Sequence, residues 1–217
     1  MRYRHKCIVA PLGIDLSRFT DFAASSSDMQ RKETSGDLPI LLFIGRFRHY
    51  KGLDVLVESM RQINAQLWLV GSGPLEGEVR SMVKKNGLKE KVKFLGNLPE
   101  PDLVACLKTC DMLILPSNFR SEAFGIVQLE AMACGKPVIC TELKTGTSYV
   151  NRHGETGLVV KPNSPGEIAQ AANYLIDNPT VRKQYGQNGA VHVTRNFSSD
   201  LMIDRIVDIY NNIFEGR

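Results

Sequence analysis

The sequence predicts an α/β fold in which an open parallel sheet carries helices on both faces. Short apolar runs at 40–44, 67–70, 92–95, 112–115, 138–140 and 158–160 alternate with segments of helical period, as strands joined by crossover helices do. A sheet covered on both sides is the natural home for such runs. Between the first two, Leu53, Leu56, Val57, Met60 and Ile63 make one helix face. After the last, Ile168, Ala171, Ala172, Leu175 and Ile176 repeat the spacing. Residues 20–39, rich in Ser, Asp, Thr and Gly and without period, read as a linker. Residues 40–197 then form the domain body and 198–217 a final helix. In that helix Ile203, Ile206, Val207, Tyr210, Ile213 and Phe214 form a stripe expected to dock on the domain, while Met202 and Ile209 widen the apolar arc toward a second surface.

Composition narrows the function classes. No apolar run approaches the ~20 residues that span a bilayer, and the first residues lack the apolar stretch of a signal peptide, so a cytoplasmic protein is expected. The net charge of +4 is mild. Arg2, Arg4 and Lys6 make only a small basic cluster, and no nucleic-acid signature is present. Cys7, Cys106, Cys110, Cys134 and Cys140 lack paired-ligand spacing. They are expected as small buried residues in a reducing compartment. Trp68 is expected in the core. His49 reads as an exposed loop residue, and His5, His153 and His192 have no recognisable partners.

In sheets of this kind ligands bind beyond the carboxyl ends of the strands. After the first strand comes Gly45-Arg46-Phe47-Arg48-His49-Tyr50-Lys51-Gly52. A forked guanidinium at Arg46 and a compact charge at Lys51 suit a diphosphate. After the second comes Gly71-Ser72-Gly73-Pro74, whose backbone can approach a ligand closely, although a plain turn would read the same. After the fourth, a loop from Pro116 leads into a helix starting near Phe124 and Gly125. The free N–H groups of Gly125, Ile126 and Val127 can cradle an anion there. Glu122 stands ahead of this helix and Glu130 within it. Two such carboxylates make acceptors for vicinal hydroxyls. The plainer alternatives are a helix-start carboxylate for Glu122 and an exposed surface residue for Glu130.

These residues resemble the C-terminal half of the retaining "group 1" glycosyltransferases, family 4, of the GT-B fold. The resemblance rests on Gly45-Arg46 with Lys51-Gly52, Gly71-Ser72-Gly73-Pro74, Phe94-Leu95-Gly96 and Pro116-Ser117. It continues through Glu122 and Glu130 with Ala131-Met132-Ala133, Gly135-Lys136-Pro137-Val138, and Gly154-Glu155-Thr156-Gly157-Leu158. It implies a Rossmann-like domain that binds a nucleotide-sugar. Arg46 and Lys51 would bind the pyrophosphate and stabilise the leaving diphosphate without a metal or other cofactor. Glu122 would hold the transferred sugar, giving Arg46, Lys51 and Glu122 as catalytic residues. Glu130 would take the ribose hydroxyls, and Gly96-Asn97-Leu98 would read the base. Gly45, Gly71, Phe124, Gly125, Ile126 and Val127 would complete the donor site. Many relatives carry Gly-Gly-x-x-Glu where this chain reads Thr145-Gly146-Thr147-Ser148-Tyr149-Val150-Asn151.

The resemblance further implies an acceptor-binding N-terminal domain or subunit. Residues 1–19 would be its hinge remnant, Cys7-Ile8-Val9-Ala10-Pro11-Leu12-Gly13-Ile14-Asp15 resembling its last strand and hinge. A truncated gene product, an excised piece or one subunit of a split enzyme all fit. The half present is not expected to transfer sugar alone, and any peripheral membrane contact would come through the other half. A sugar-nucleotide epimerase shares the fold but fewer of the motifs, and no lysine marks a phosphorylase. A dinucleotide oxidoreductase would need Gly-x-Gly-x-x-Gly after the first strand. A non-catalytic nucleotide-binding partner subunit remains the alternative from another class.

Overall fold

The computed structural model describes residues 7–19 and 38–215. His5, the basic cluster at Arg2, Arg4 and Lys6, and nearly all of the 20–39 linker lie outside the described residues. Six parallel strands form one sheet in the order β3-β2-β1-β4-β5-β6. They are β1 (Ile40–Ile44), β2 (Gln66–Val70), β3 (Val92–Gly96), β4 (Met112–Leu115), β5 (Val138–Thr141) and β6 (Gly157–Val160). Each lies within a residue of its expected place. The reason is the one the sequence offers: β1, β2, β4 and β5 are buried along almost their whole length, so nothing polar blurs their ends.

The helices are α1 (Leu53–Ser59), α2 (Glu76–Lys85), α3 (Glu100–Thr109), α4 (Ile126–Ala133), α5 (Gly146–Val150), α6 (Pro165–Asp177), α7 (Pro179–Asn196) and α8 (Ser199–Phe214). Their apolar faces split the interior into two layers. One unites α1, α2 and α6 with Leu41, Phe43, Leu67 and Leu69. The other sets α3, α4 and Phe197 against Ile40, Leu42, Trp68 and Leu113. Alternate residues of β1 and β2 feed opposite layers, as the pleat requires. Trp68 is buried and donates its indole N–H to Gln66 Oε1 at 3.2 Å.

Ile14 bridges Ser198 in parallel, donating to Phe197 O at 2.9 Å and accepting from Ser199 N at 2.8 Å. Two expectations need correction. Cys7 is exposed, whereas Cys106, Cys110 and Cys140 are buried. Burial pushes the Cys110 and Cys140 thiols up to about 12. The larger correction concerns α8. Its stripe of Ile203, Ile206, Val207, Tyr210, Ile213 and Phe214 faces outward, 38% to 85% exposed. Leu201, Met202, Arg205 and Ile209 lie on the half-buried side, where the Met202 sulfur accepts from Gly13 N at 3.3 Å. Both sides of α8 carry apolar residues, so periodicity alone could not tell which one docks.

No helix among the described residues is long and apolar enough to cross a membrane.

Candidate functional site

The strand order reverses between β1 and β4, and at such a switch point the flanking loops diverge and leave a crevice at the carboxyl ends. The loop after β1 is fixed by Phe47, which is fully buried and packs edge-on against Phe43 with ring centroids 6.1 Å apart. With Phe47 turned inward and bonded to Ser72 O through its N–H, Arg46 is left exposed above the sheet. A 3-10 turn at His49–Lys51 follows and ends in Gly52, whose φ is 65°. A side chain there would run into the Pro116 carbonyl oxygen. Glycine is therefore required both by the left-handed backbone and by the contact with the loop after β4.

On the far side of the switch point the loop from Pro116 leads into α4, capped by Gly125. Thr145 Oγ1 donates to Glu122 O at 2.9 Å and Gly146 N to Ala123 O at 2.7 Å. The Thr145-Gly146 segment thus braces the loop ahead of α4. Gln128, buried in α4, donates from Nε2 to Phe124 O and Thr147 O, tying the helix start to α5.

Two adjoining cavities open here, sharing Ile44 and Gly45. One, of about 510 Å³, is lined by Arg46, Val70, Gly71, Ser72, Gly73, Asn97, Leu98 and Leu103. The other, of about 420 Å³, is lined by Lys51, Ser121, Glu122, Ala123, Phe124, Gly125, Ile126, Val127 and Leu12. Most of the expected site residues are therefore gathered, with Arg46 in the first cavity and Lys51 in the second. Gly96 lies at the rim, its carbonyl accepting from Gly71 N at 2.7 Å, and Asn97 and Ser72 join side chain to side chain.

The charges hold one another. Lys51 Nζ donates to Glu122 Oε2 at 2.6 Å, and the buried Ser117 hydroxyl donates to the same oxygen at 2.9 Å. Both charged side chains are about nine-tenths buried, with 12% and 10% of their surface exposed. Any anion reaching Lys51 must compete with or join this pair.

Glu130 lines neither cavity. It is not the exposed helix residue of the plainer alternative, since only 14% of its side chain is exposed. Burial pushes its pKa up, opposed by Arg18, whose Nη1 lies 3.6 Å from Glu130 Oε1. Arg18 also donates to Glu100, the first residue of α3. Sequence reasoning passed over Arg18, Ser117 and Gln128 as site residues. Ser117 carried a signal by its place two residues after β4; Arg18, far from Glu130 in sequence, carried none.

The histidines differ from expectation. His153 Nδ1 accepts from Val159 N at 3.0 Å, and His192 Nδ1 lies 3.1 Å from the Asn196 side-chain nitrogen. Burial pushes the His192 pKa down. His49 is exposed, as its loop position suggested. Among the described residues, no three His, Cys, Asp or Glu side chains gather as a metal site would require.

A parallel sheet in this order, with helices on both faces and a crevice at its switch point, defines a Rossmann-like α/β domain. The chain belongs to the glycosyl transferases group 1 family, whose model matches residues 25–192. It is 35% identical over 220 residues to an O-antigen chain mannosyltransferase of Escherichia coli, covering 100% of this chain and 57% of that protein. It is 32% identical to a GDP-mannose-dependent phosphatidylinositol monomannoside mannosyltransferase of Corynebacterium glutamicum, covering 92% and 54%. The C-terminal domain of a group 1 glycosyl transferase of Francisella tularensis superposes with a TM-score of 0.76 at 26% identity, covering 86% of this chain and 100% of that domain. The chain thus spans little more than half the length of the two relatives.

Proposed function

We propose that this domain binds a nucleoside-diphosphate sugar as the donor half of a retaining glycosyltransferase. The observation that carries this is the second cavity, where Lys51, Glu122 and the start of α4 face one space at the switch point. The diphosphate sits between the α4 N–H groups and Lys51, with Arg46 reaching it from the adjoining cavity. Three positive partners on one diphosphate neutralise the leaving group without a metal. Glu122, released in part from Lys51, turns to the hydroxyls of the transferred sugar. The base lies in the Asn97 and Leu98 cavity, and Glu130 takes the ribose. No protein nucleophile is assigned; the leaving phosphate itself accepts the proton of the incoming hydroxyl. GDP is the first nucleotide to test, because the Corynebacterium relative is GDP-mannose-dependent and the Escherichia coli relative is a mannosyltransferase. The products belong to cell-surface polysaccharide or glycolipid assembly in the cytoplasm.

Transfer requires an acceptor-binding half. Holding two reactants in register can supply ~7–11 kcal/mol of barrier lowering, and the described residues offer the donor side of such a cleft. The outward stripe of α8, with exposed Ile8 and Val9, is the surface on which that half would rest.

Calorimetry with GDP, UDP and ADP in EDTA tests the donor assignment. Binding of at least one is expected, weakened by Arg46→Ala. A folded protein that binds none overturns it. Mannosyl transfer from GDP-mannose by this chain alone would overturn the requirement for a second half.

A further inference from the structure

The family match begins after Arg18, yet Arg18 reaches Glu130 on the helix that opens at the switch point. Residues 14–19 are seated firmly: Ile14 is bonded on both sides to the 197–199 backbone, and Phe19 is buried against the layer that contains α4. The Arg18 guanidinium lies over the Phe19 ring at 5.3 Å, which limits its freedom. From there it spans two carboxylates on different helices, Glu100 on α3 and Glu130 on α4. Glu130 Oε1 faces Arg18, and among the described residues no partner claims Oε2.

We propose that Arg18 is a positioning residue of the nucleotide site, holding the Glu130 carboxylate aimed and ionised for the ribose hydroxyls. Residues 14–19 are then part of the donor site rather than a passive connection. The proposal rests on the assignment of Glu130 to the ribose. Its physical reason is that a carboxylate this deeply buried tends to take up a proton, and a protonated carboxyl is a poorer acceptor for a vicinal diol. Three titratable groups face Glu130. Arg18, from residues 14–19, favours the charged form, whereas Glu100, from α3, opposes it. Cys134, the residue that caps the end of α4, has its thiol pushed up to about 11 by burial and stays neutral across the working range.

The two charged neighbours act with opposite sign, which makes the test specific. GDP affinity would be measured by calorimetry from pH 5 to pH 8.5, alongside 2′,3′-dideoxy-GDP, for the unmodified chain and for Arg18→Met, Arg18→Lys and Glu100→Gln. The titration of the diphosphate itself is common to all and cancels in the comparison. Arg18→Met should move the acid loss of affinity to higher pH, with roughly tenfold weaker binding near pH 6 and roughly twofold near pH 8.5. Arg18→Lys, which keeps the charge, should restore most of the profile. Glu100→Gln should move the acid loss to lower pH, and it keeps the test alive if Arg18→Met does not fold. Profiles that superimpose, or that move the same way in Arg18→Met and Glu100→Gln, overturn the role of Arg18 and leave the ribose assignment standing. Equal affinity of the unmodified chain for GDP and its dideoxy analogue overturns the ribose assignment itself.

Discussion

The crevice at the carboxyl ends of the strands and the outer face of α8 are finished in opposite ways. In the crevice, Lys51, Glu122 and Ser117 already satisfy one another. On α8, six large side chains from Ile203 to Phe214 are exposed, and none of the other described residues buries them. A polar site can be complete while empty because a ligand replaces one partner by another. An apolar face has no such internal substitute. Damage to the crevice should therefore cost stability and ligand binding together, whereas changes on α8 should leave the fold untouched.

The strongest challenge to that contrast is Gly52→Ala. With φ at 65° and the Pro116 carbonyl in the way, it should cost about 3 kcal/mol or more and abolish GDP binding. Urea unfolding and calorimetry would measure both; a loss below about 1 kcal/mol would mean that the two loops are not locked together.

Next is Lys51→Met, which leaves Glu122 buried without its cation. A loss of about 2 kcal/mol is expected, with GDP affinity lowered roughly tenfold to a hundredfold. Full stability with full affinity would place Lys51 outside the site.

Glu130→Gln sharpens the comparison from the other side. Its raised pKa means that the folded state holds the proton more tightly than the unfolded chain does. This contribution to stability is therefore full below the ordinary carboxylate pKa of 4.5 and is lost as pH rises through the folded value. A neutral isostere should then stabilise the empty protein at pH 7 by about 0.5 kcal/mol while removing the preference for GDP over its dideoxy analogue. Urea curves at pH 7 and pH 4 check the sign: the gain should vanish at the lower pH.

The smallest effect on the fold belongs to Ile206→Glu with Tyr210→Glu. Stability should change by less than about 0.5 kcal/mol, and light scattering should show any self-association of the unmodified chain reduced. A loss above about 2 kcal/mol would mean that the face is covered after all.

The same contrast marks what was legible in the sequence. The strands were, because unbroken burial leaves unbroken apolar runs, as in Leu41, Leu42 and Phe43. Lys51, Glu122 and Gly125 were legible as a cluster because each follows a strand whose position was clear, and sheets of this type collect ligands there. The orientation of α8 was not, because Met202 and Ile209 are as apolar as Ile203 and Ile206, and tertiary contacts such as Gly13 with Met202 and Arg205 with Asn196 select between them. Arg18 was invisible for another reason: its partners are brought to it by the fold, and nothing in its neighbourhood announces them.

The bridge between Ile14 and Ser198 gives the domain a gate. Among the described residues, the segments before Ile14 and after Ser198 meet there, fastened by two main-chain hydrogen bonds. A graft that cut at these two residues would lift out the sheet, its helices and the crevice as one cassette and open the scaffold at a single point. Tension applied across the gate would load those two bonds before it reached the sheet. The domain could thus swivel as a whole about that point while Lys51, Glu122 and the start of α4 kept their relative places.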